Sequence, residues 1–299
     1  MTLPNFLIIG VAKAATSSLY VYLEQHPHVF MSANKEPHFF AFEDQEVNFR
    51  GPGDAKAMSN KVVTNLADYE ALFSEVSIET AIGEASTNYL YYSYAAERIK
   101  KYLPEVKLIV VLRNPVERAY SAFSHRRREG RETCSSFEKA LSLEKDRIEG
   151  NWSPLAHYRS GGFYYEKLKH YFDLFDRQQI QVFLYDDVQE DLLSVIHHIY
   201  TFLEIDNTFI PDVDRQYNVS ILPRNPLMSV ALNFAKLMKT IKPIDNLMSD
   251  HTKQIIKSKM TKKPEPMSDE IRAQLTEDYR LDIIKLQELI DRDLTNWLY

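Results

Sequence analysis

Three short segments of this chain carry residues whose types and spacing suit chemistry. The first, Leu7-Ile8-Ile9-Gly10-Val11-Ala12-Lys13-Ala14-Ala15-Thr16-Ser17-Ser18-Leu19, reads as a strand, a tight turn and a helix start. A helix beginning near Thr16 turns its unpaired N–H groups and the positive end of its dipole toward the turn. With Lys13 and three hydroxyls alongside, the result is a cradle for a phosphate-like anion. A plainer arrangement suits the same residues: one hydroxyl caps the helix and Lys13 is solvated. The turn alone leaves both open. It is not a Walker A loop, which needs glycine directly before the lysine and Ser or Thr directly after it, because Lys13 stands between Ala12 and Ala14.

The second segment runs from Lys107 through the apolar Leu108–Leu112 to Arg113-Asn114-Pro115-Val116-Glu117-Arg118-Ala119-Tyr120-Ser121. Pro115 fits the first turn of a helix, where its missing N–H costs nothing. Arg113 then stands at the strand's carboxyl end, and its fixed fork of donors suits a phosphate monoester. Ser121 lies two turns further on and reaches the same ligand only if the helix packs across the strand end. The alternative for Arg113 is a surface salt bridge. The basic continuation His125-Arg126-Arg127-Arg128-Glu129-Gly130-Arg131 reads first as a solvated face with a C-terminal cap, and second as a contact for an acidic ligand.

The third segment, Lys35-Glu36-Pro37-His38-Phe39-Phe40, supplies acid–base groups. Pro37 biases Glu36 toward an extended conformation, in which Glu36 and His38 project to one side. The neighbouring aromatic rings are expected to desolvate the carboxylate, raise its pKa and make it a proton acceptor. Against this stands a buried carboxylate–histidine hydrogen bond that only supports the loop. Glu84, in Gly83-Glu84-Ala85-Ser86-Thr87-Asn88-Tyr89, either reaches the same site or accepts backbone N–H bonds. Arg224 is a further basic candidate. No Cys/His spacing suggests a metal, and His197-His198 read as ordinary helix residues.

The elements that must position these groups are legible in outline. Phe6–Ile9, Leu108–Leu112 and Ile180–Leu184 read as buried strands. Helical stripes follow or precede them: Val116, Ala119, Tyr120, Phe123; then Tyr165, Leu168, Phe172, Phe175; and, near the end, Tyr279, Ile283, Leu286, Ile290. Alternation of this kind predicts an α/β fold, a P-loop-like parallel sheet flanked by helices on both faces, with ligands beyond the carboxyl ends of the strands. We expect a single domain over 1–299, with an exposed or mobile Lys- and Pro-bearing segment at 253–266. A net charge of −6 argues against nucleic acid as a partner. The single Cys134 forms no intrachain disulfide, and no apolar run is long enough for a signal peptide or a transmembrane segment. Both point to the cytoplasm.

In combination these segments resemble the PAPS-dependent sulfotransferases of the bacterial and heparan-sulfate-type O-sulfotransferase kind. The first is similar to that family's Lys-x-Gly-Thr-Thr/Ser loop, the second to its strand-Arg-Asn/Asp-Pro-x-x-Arg-x-x-Ser motif, the third to its Glu-x-His-Phe-Phe segment. The resemblance implies a sulfotransferase fold and transfer of a sulfuryl group from 3′-phosphoadenosine 5′-phosphosulfate (PAPS) to a hydroxyl, leaving adenosine 3′,5′-bisphosphate (PAP). It implies that the turn of Lys13, Ala14, Ala15, Thr16, Ser17 and Ser18 holds the 5′-phosphosulfate, with Lys13 at the bridging oxygen. It gives Arg113 and Ser121, with Arg224, to the 3′-phosphate. It makes Glu36 the general base, with His38 as its partner or as an alternative base. The chain departs from the pattern at Ala15, where the family usually has glycine; a methyl there suits only a backbone that needs neither positive φ nor a closer approach to the ligand. The implied acceptor is a small molecule, a glycan, a lipid alcohol or a β-hydroxyacyl chain on a carrier protein. A catalytically silent PAPS- or PAP-binding protein and a nucleoside-triphosphate kinase are the competing readings.

Overall fold

The computed structural model describes residues 2–59, 61–213, 222–223, 261–262 and 266–299. Its centre is a five-stranded, wholly parallel sheet: β1 (Phe6–Gly10), β2 (Val29–Met31), β3 (Ala81–Ala85), β4 (Lys107–Leu112) and β5 (Ile180–Leu184), in the order β2-β3-β1-β4-β5. The three predicted apolar runs are β1, β4 and β5. Every residue of β1 is buried, so both of its faces are covered, as a parallel sheet requires.

Two strands escaped the sequence reading for physical reasons. β2 is a three-residue edge strand, too short to show a pattern. In β3, Gly83 and Glu84 look like turn and surface residues, yet both are buried. Gly83 is glycine because the Phe6 ring fills the place of a side chain: a Cβ there would fall 2.3 Å from it.

The connections place the site. β1 leads away to β2 on one side, whereas β3 leads across β1 to β4 on the other, so the carboxyl ends of β1 and β4 flank a topological switch point. The two strands are paired, Phe6 opposite Lys107 and Ile8 opposite Ile109, and Val11 N–H extends the pairing to the Val111 carbonyl at 2.9 Å. The two turns therefore emerge side by side.

Helices Thr16–Leu23 and Pro115–Arg128 follow these turns. Val116, Ala119 and Phe123 of the first stripe are buried as expected. Leu168 on helix Tyr165–Leu174 and Phe175 just beyond its end are buried as expected; Tyr171 joins them, while Tyr165 and Phe172 are half-buried. All four residues of the last stripe are buried on helix Asp269–Ile290. That helix holds a site segment in place. Asp282 accepts the N–H groups of Tyr164 (2.8 Å) and Tyr165, and the Tyr279 hydroxyl donates to the Arg159 carbonyl at 2.8 Å.

Arg224 lies outside the described residues. Within 253–266 only Thr261, Lys262 and Pro266 are described, and Thr261–Lys262 pair antiparallel with Leu222–Pro223. Among the described residues no helix is long and apolar enough to cross a membrane.

Candidate active site

A cavity of about 310 Å³ opens at the switch point, and Lys13, Thr16, Ser17, Glu36 and His38 all line it. Two separate stretches of sequence thus meet at one place. Ala14, Ala15, Ser18, Arg113 and Ser121 lie outside this lining.

The β1 turn is bent through the left-handed region twice, at Lys13 (φ 76°) and Ala15 (φ 62°). Ala15 therefore occupies the conformation that glycine adopts without strain, the condition under which its methyl is unfavourable. It also stands at the cap position of helix Thr16–Leu23 and offers no side-chain cap. The first bonds of that helix run from Ser18 N–H (2.9 Å) and Leu19 N–H (3.1 Å) to the Ala15 carbonyl. The N–H groups of Thr16 and Ser17 come before them, at the positive end of the helix. No hydroxyl caps this end from the Ala15 position, and the cradle is open. Burial first, then the Arg128 and Arg113 guanidiniums, lower the Lys13 ammonium to about 8. An anion set beside it would offset that cost.

The β4 turn is closed by contrast. The Asn114 carboxamide oxygen accepts the N–H groups of Val116 (2.9 Å) and Glu117 (3.3 Å), and Pro115 has none to offer. Arg113 reaches sideways: its Nη1 donates to the Lys13 carbonyl at 2.9 Å and its guanidinium lies 4.3 Å from the centre of the Tyr185 ring. Ser121 is half-buried on the following helix. Arg118 is 3% exposed, lines the cavity and donates to the Tyr158 carbonyl. The basic run is not simply a solvated face. Arg126 is fully buried, its Nη1 2.7 Å from Asp54, which also pairs with Arg131 at 2.6 Å and accepts Ser153 N–H at 2.8 Å. Asp54, far away in sequence, is what allows an arginine inside.

Glu36 contradicts one expectation. Burial pushes its carboxyl up, but Lys35 (3.3 Å), His38 and Lys61 (2.8 Å) together hold it well below the usual carboxylate range. The aromatic rings do not surround it: Phe39 stacks on Tyr69 at 4.5 Å and Phe40 packs on Tyr89, both facing the core. His38 is held in the left-handed region (φ 53°), its N–H donating to the Ser86 hydroxyl at 2.9 Å. Burial lowers its ring to about 4 against the opposing pull of Glu36, so it is neutral at pH 7, with Nδ1 buried and without a hydrogen-bond partner among the described residues.

Glu84 is fully buried and accepts the Tyr89 (2.6 Å) and Tyr69 (3.2 Å) hydroxyls rather than backbone N–H groups. Burial raises its carboxyl to about 7 against those bonds. It lies behind the cavity wall, not in it.

Sequence reasoning missed Lys61, Tyr91 and Lys167, which also line the cavity. None belongs to a motif; each arrives on its own segment, and only the lysine of 61 carries a signal, its charge standing beside Val62-Val63.

Comparison with known proteins bears on this arrangement. The family model described as a sulfotransferase domain matches residues 3–291. The chain is 25% identical to mouse (Mus musculus) bifunctional heparan sulfate N-deacetylase/N-sulfotransferase 4 over 99% of its own length, and 33% identical to the Bos taurus N-deacetylase/N-sulfotransferase 2 over 43%. It spans 31% and 13% of those proteins. Among solved structures it is similar to a sulfotransferase from Alicyclobacillus acidocaldarius, 32% identical, with a TM-score of 0.79 and all of both chains covered.

Proposed function

The chain belongs to the sulfotransferase domain family, and from that premise we propose that it transfers the sulfuryl group of PAPS to an acceptor hydroxyl in the cavity beside Lys13. The observation that carries this reading is the uncapped, positively ended helix and Lys13 sharing one cavity with Glu36.

In this reading the 5′-phosphosulfate lies against the Thr16 and Ser17 N–H groups. The acceptor oxygen attacks sulfur in line, the bond from sulfur to the bridging oxygen breaks, and its electron pair stays on the phosphate of PAP. Lys13 stabilises that growing charge. The acceptor proton passes to Glu36, with Lys35 and Lys61 moving toward the incoming sulfonate oxygens as they release the carboxylate. The rest is positioning.

A second reading is an amine acceptor. Glu36, held as a weak base by two lysines, suits an amine, which attacks through its own lone pair and sheds its proton late; the relatives named above are called N-sulfotransferases. One experiment tests both. PAP binding is measured by calorimetry, and sulfate transfer from labelled donor is measured to matched hydroxyl and amine acceptors, with wild type and Glu36→Gln. We expect PAP to bind and Glu36→Gln to slow transfer to the hydroxyl about 10²–10³-fold with PAP affinity unchanged. Undiminished turnover removes the base role, faster transfer to the amine selects the second reading, and PAP binding without transfer to any acceptor selects the silent protein.

A further inference from the structure

Two cations that line the cavity make no direct ion pair with a carboxylate among the described residues. Arg118 is almost wholly buried; its Nη2 donates to the Tyr158 carbonyl, while its Nε is buried with no hydrogen-bond partner among the described residues. Lys167 lines the same wall. Its ammonium donates to the Ser160 carbonyl at 3.0 Å and sits 4.7 Å from the centre of the Tyr91 ring, which uses one of its three donors.

The carboxylates that act on Lys167 are committed elsewhere. Asp282 is taken up by the N–H groups of Tyr164 and Tyr165. Glu144 is taken up by Arg159 N–H (2.6 Å) and Ser160 N–H (2.7 Å). Glu36 is the one acidic side chain among the described lining residues, and Lys35 and Lys61 already hold it. Burial first, then Arg118, lower the Lys167 ammonium to about 8, as expected of two like charges in one desolvated place. Gly161 lies flat against the guanidinium, and a methyl there would stand 3.0 Å from both of its Nη atoms. Burying two cations side by side with carboxylates only at a distance is costly, and an anion in contact with both would offset that cost.

We propose that Arg118 and Lys167 form a second anion subsite in this cavity, which takes a carboxylate, sulfate or phosphate group carried by the acceptor. The inference rests on the sulfuryl-transfer reading above. The donor's sulfuryl end is already assigned to Lys13 and the open helix, and Arg113 stands outside the lining. Arg118 and Lys167 share the lining with Glu36, where the acceptor must deliver its proton. The substrate is then a hydroxyl or amine compound with an anionic group of its own, not a plain lipid alcohol.

The test uses the PAP-saturated chain and a matched pair of sugars, methyl β-glucuronide and methyl β-glucoside, which differ in a carboxylate. Calorimetry should find the glucuronide bound about tenfold or more tightly than the glucoside. Lys167→Met, which keeps the stem and removes the charge, should abolish that preference, Lys167→Arg should retain it, and PAP affinity should stay within about twofold in both. Equal affinity of wild type for the two sugars overturns the proposal. So does a preference that survives Lys167→Met. A loss of PAP affinity in Lys167→Met, without change in sugar preference, gives the pair of cations to the donor and overturns it equally. Failure of PAP to bind wild type would strike the sulfuryl-transfer reading instead, and the sugar preference would then be read on the nucleotide-free chain.

Discussion

The turns after β1 and β4 occupy equivalent places, side by side at the carboxyl edge of one sheet, and each opens a helix. They solve the helix end in opposite ways. After β4, the Asn114 side chain takes the N–H groups of Val116 and Glu117, and Pro115 removes a third. After β1, Ala15 supplies no side-chain acceptor, and the backbone passes twice through a region unfavourable to any residue with a Cβ. The closed turn satisfies its own helix end, whereas the open one leaves that end to the ligand of the proposed reaction. Under the proposed function, what the β4 side contributes to binding must come from side chains rather than from its helix end.

The largest test of this contrast is Lys13→Ala. We expect sulfate transfer to drop about 10²–10³-fold with little change in thermal midpoint. The pH profile sharpens it: the ammonium is charged below its value of about 8, so wild-type kcat/KM for donor should fall as pH rises past that point, and the variant should lack this limb. If the alkaline limb persists without Lys13, another group carries the donor. The opposite pattern is expected of Asn114→Ala. Denaturant unfolding should show a loss of about 1 kcal/mol, while PAP affinity stays nearly constant; a variant that binds PAP much more weakly at unchanged stability would mean that the β4 turn is also a ligand cradle. The smallest effect belongs to Ala15→Gly. Release of the left-handed strain should raise stability by up to about 1 kcal/mol, partly offset by the freer unfolded chain. A destabilised Ala15→Gly would show that the bend is not strained.

How much of this could be read in advance follows the same division. β1, β4 and β5 announce themselves because each is a run of apolar residues closed by a turn. β3 does not, since its glycine answers to the Phe6 ring and its glutamate to the Tyr89 hydroxyl beyond the strand and to Tyr69 from an earlier segment. Lys13, Thr16, Ser17, Glu36 and His38 were legible because each belongs to a local pattern at a strand end or beside a proline. The low pKa of Glu36 was legible only in part: Lys35 stands next to it, but Lys61 lies 25 residues away and the neighbouring aromatic rings turn out to face the core. Arg126 misled for the same reason: a basic run looks solvated until Asp54 arrives from another segment. Long-range partners decide charge, and no window of sequence contains them.

One bond described above changes how mutants at the two turns must be interpreted. Since the Arg113 guanidinium grips the main-chain carbonyl of Lys13, truncating Arg113 frees the backbone that aims the Lys13 ammonium, whereas truncating Lys13 leaves the bond in place. Part of the penalty of an Arg113 variant therefore belongs to Lys13, and the two single-mutant penalties should not add. The two motifs, a hundred residues apart along the chain, behave as a single mechanical part.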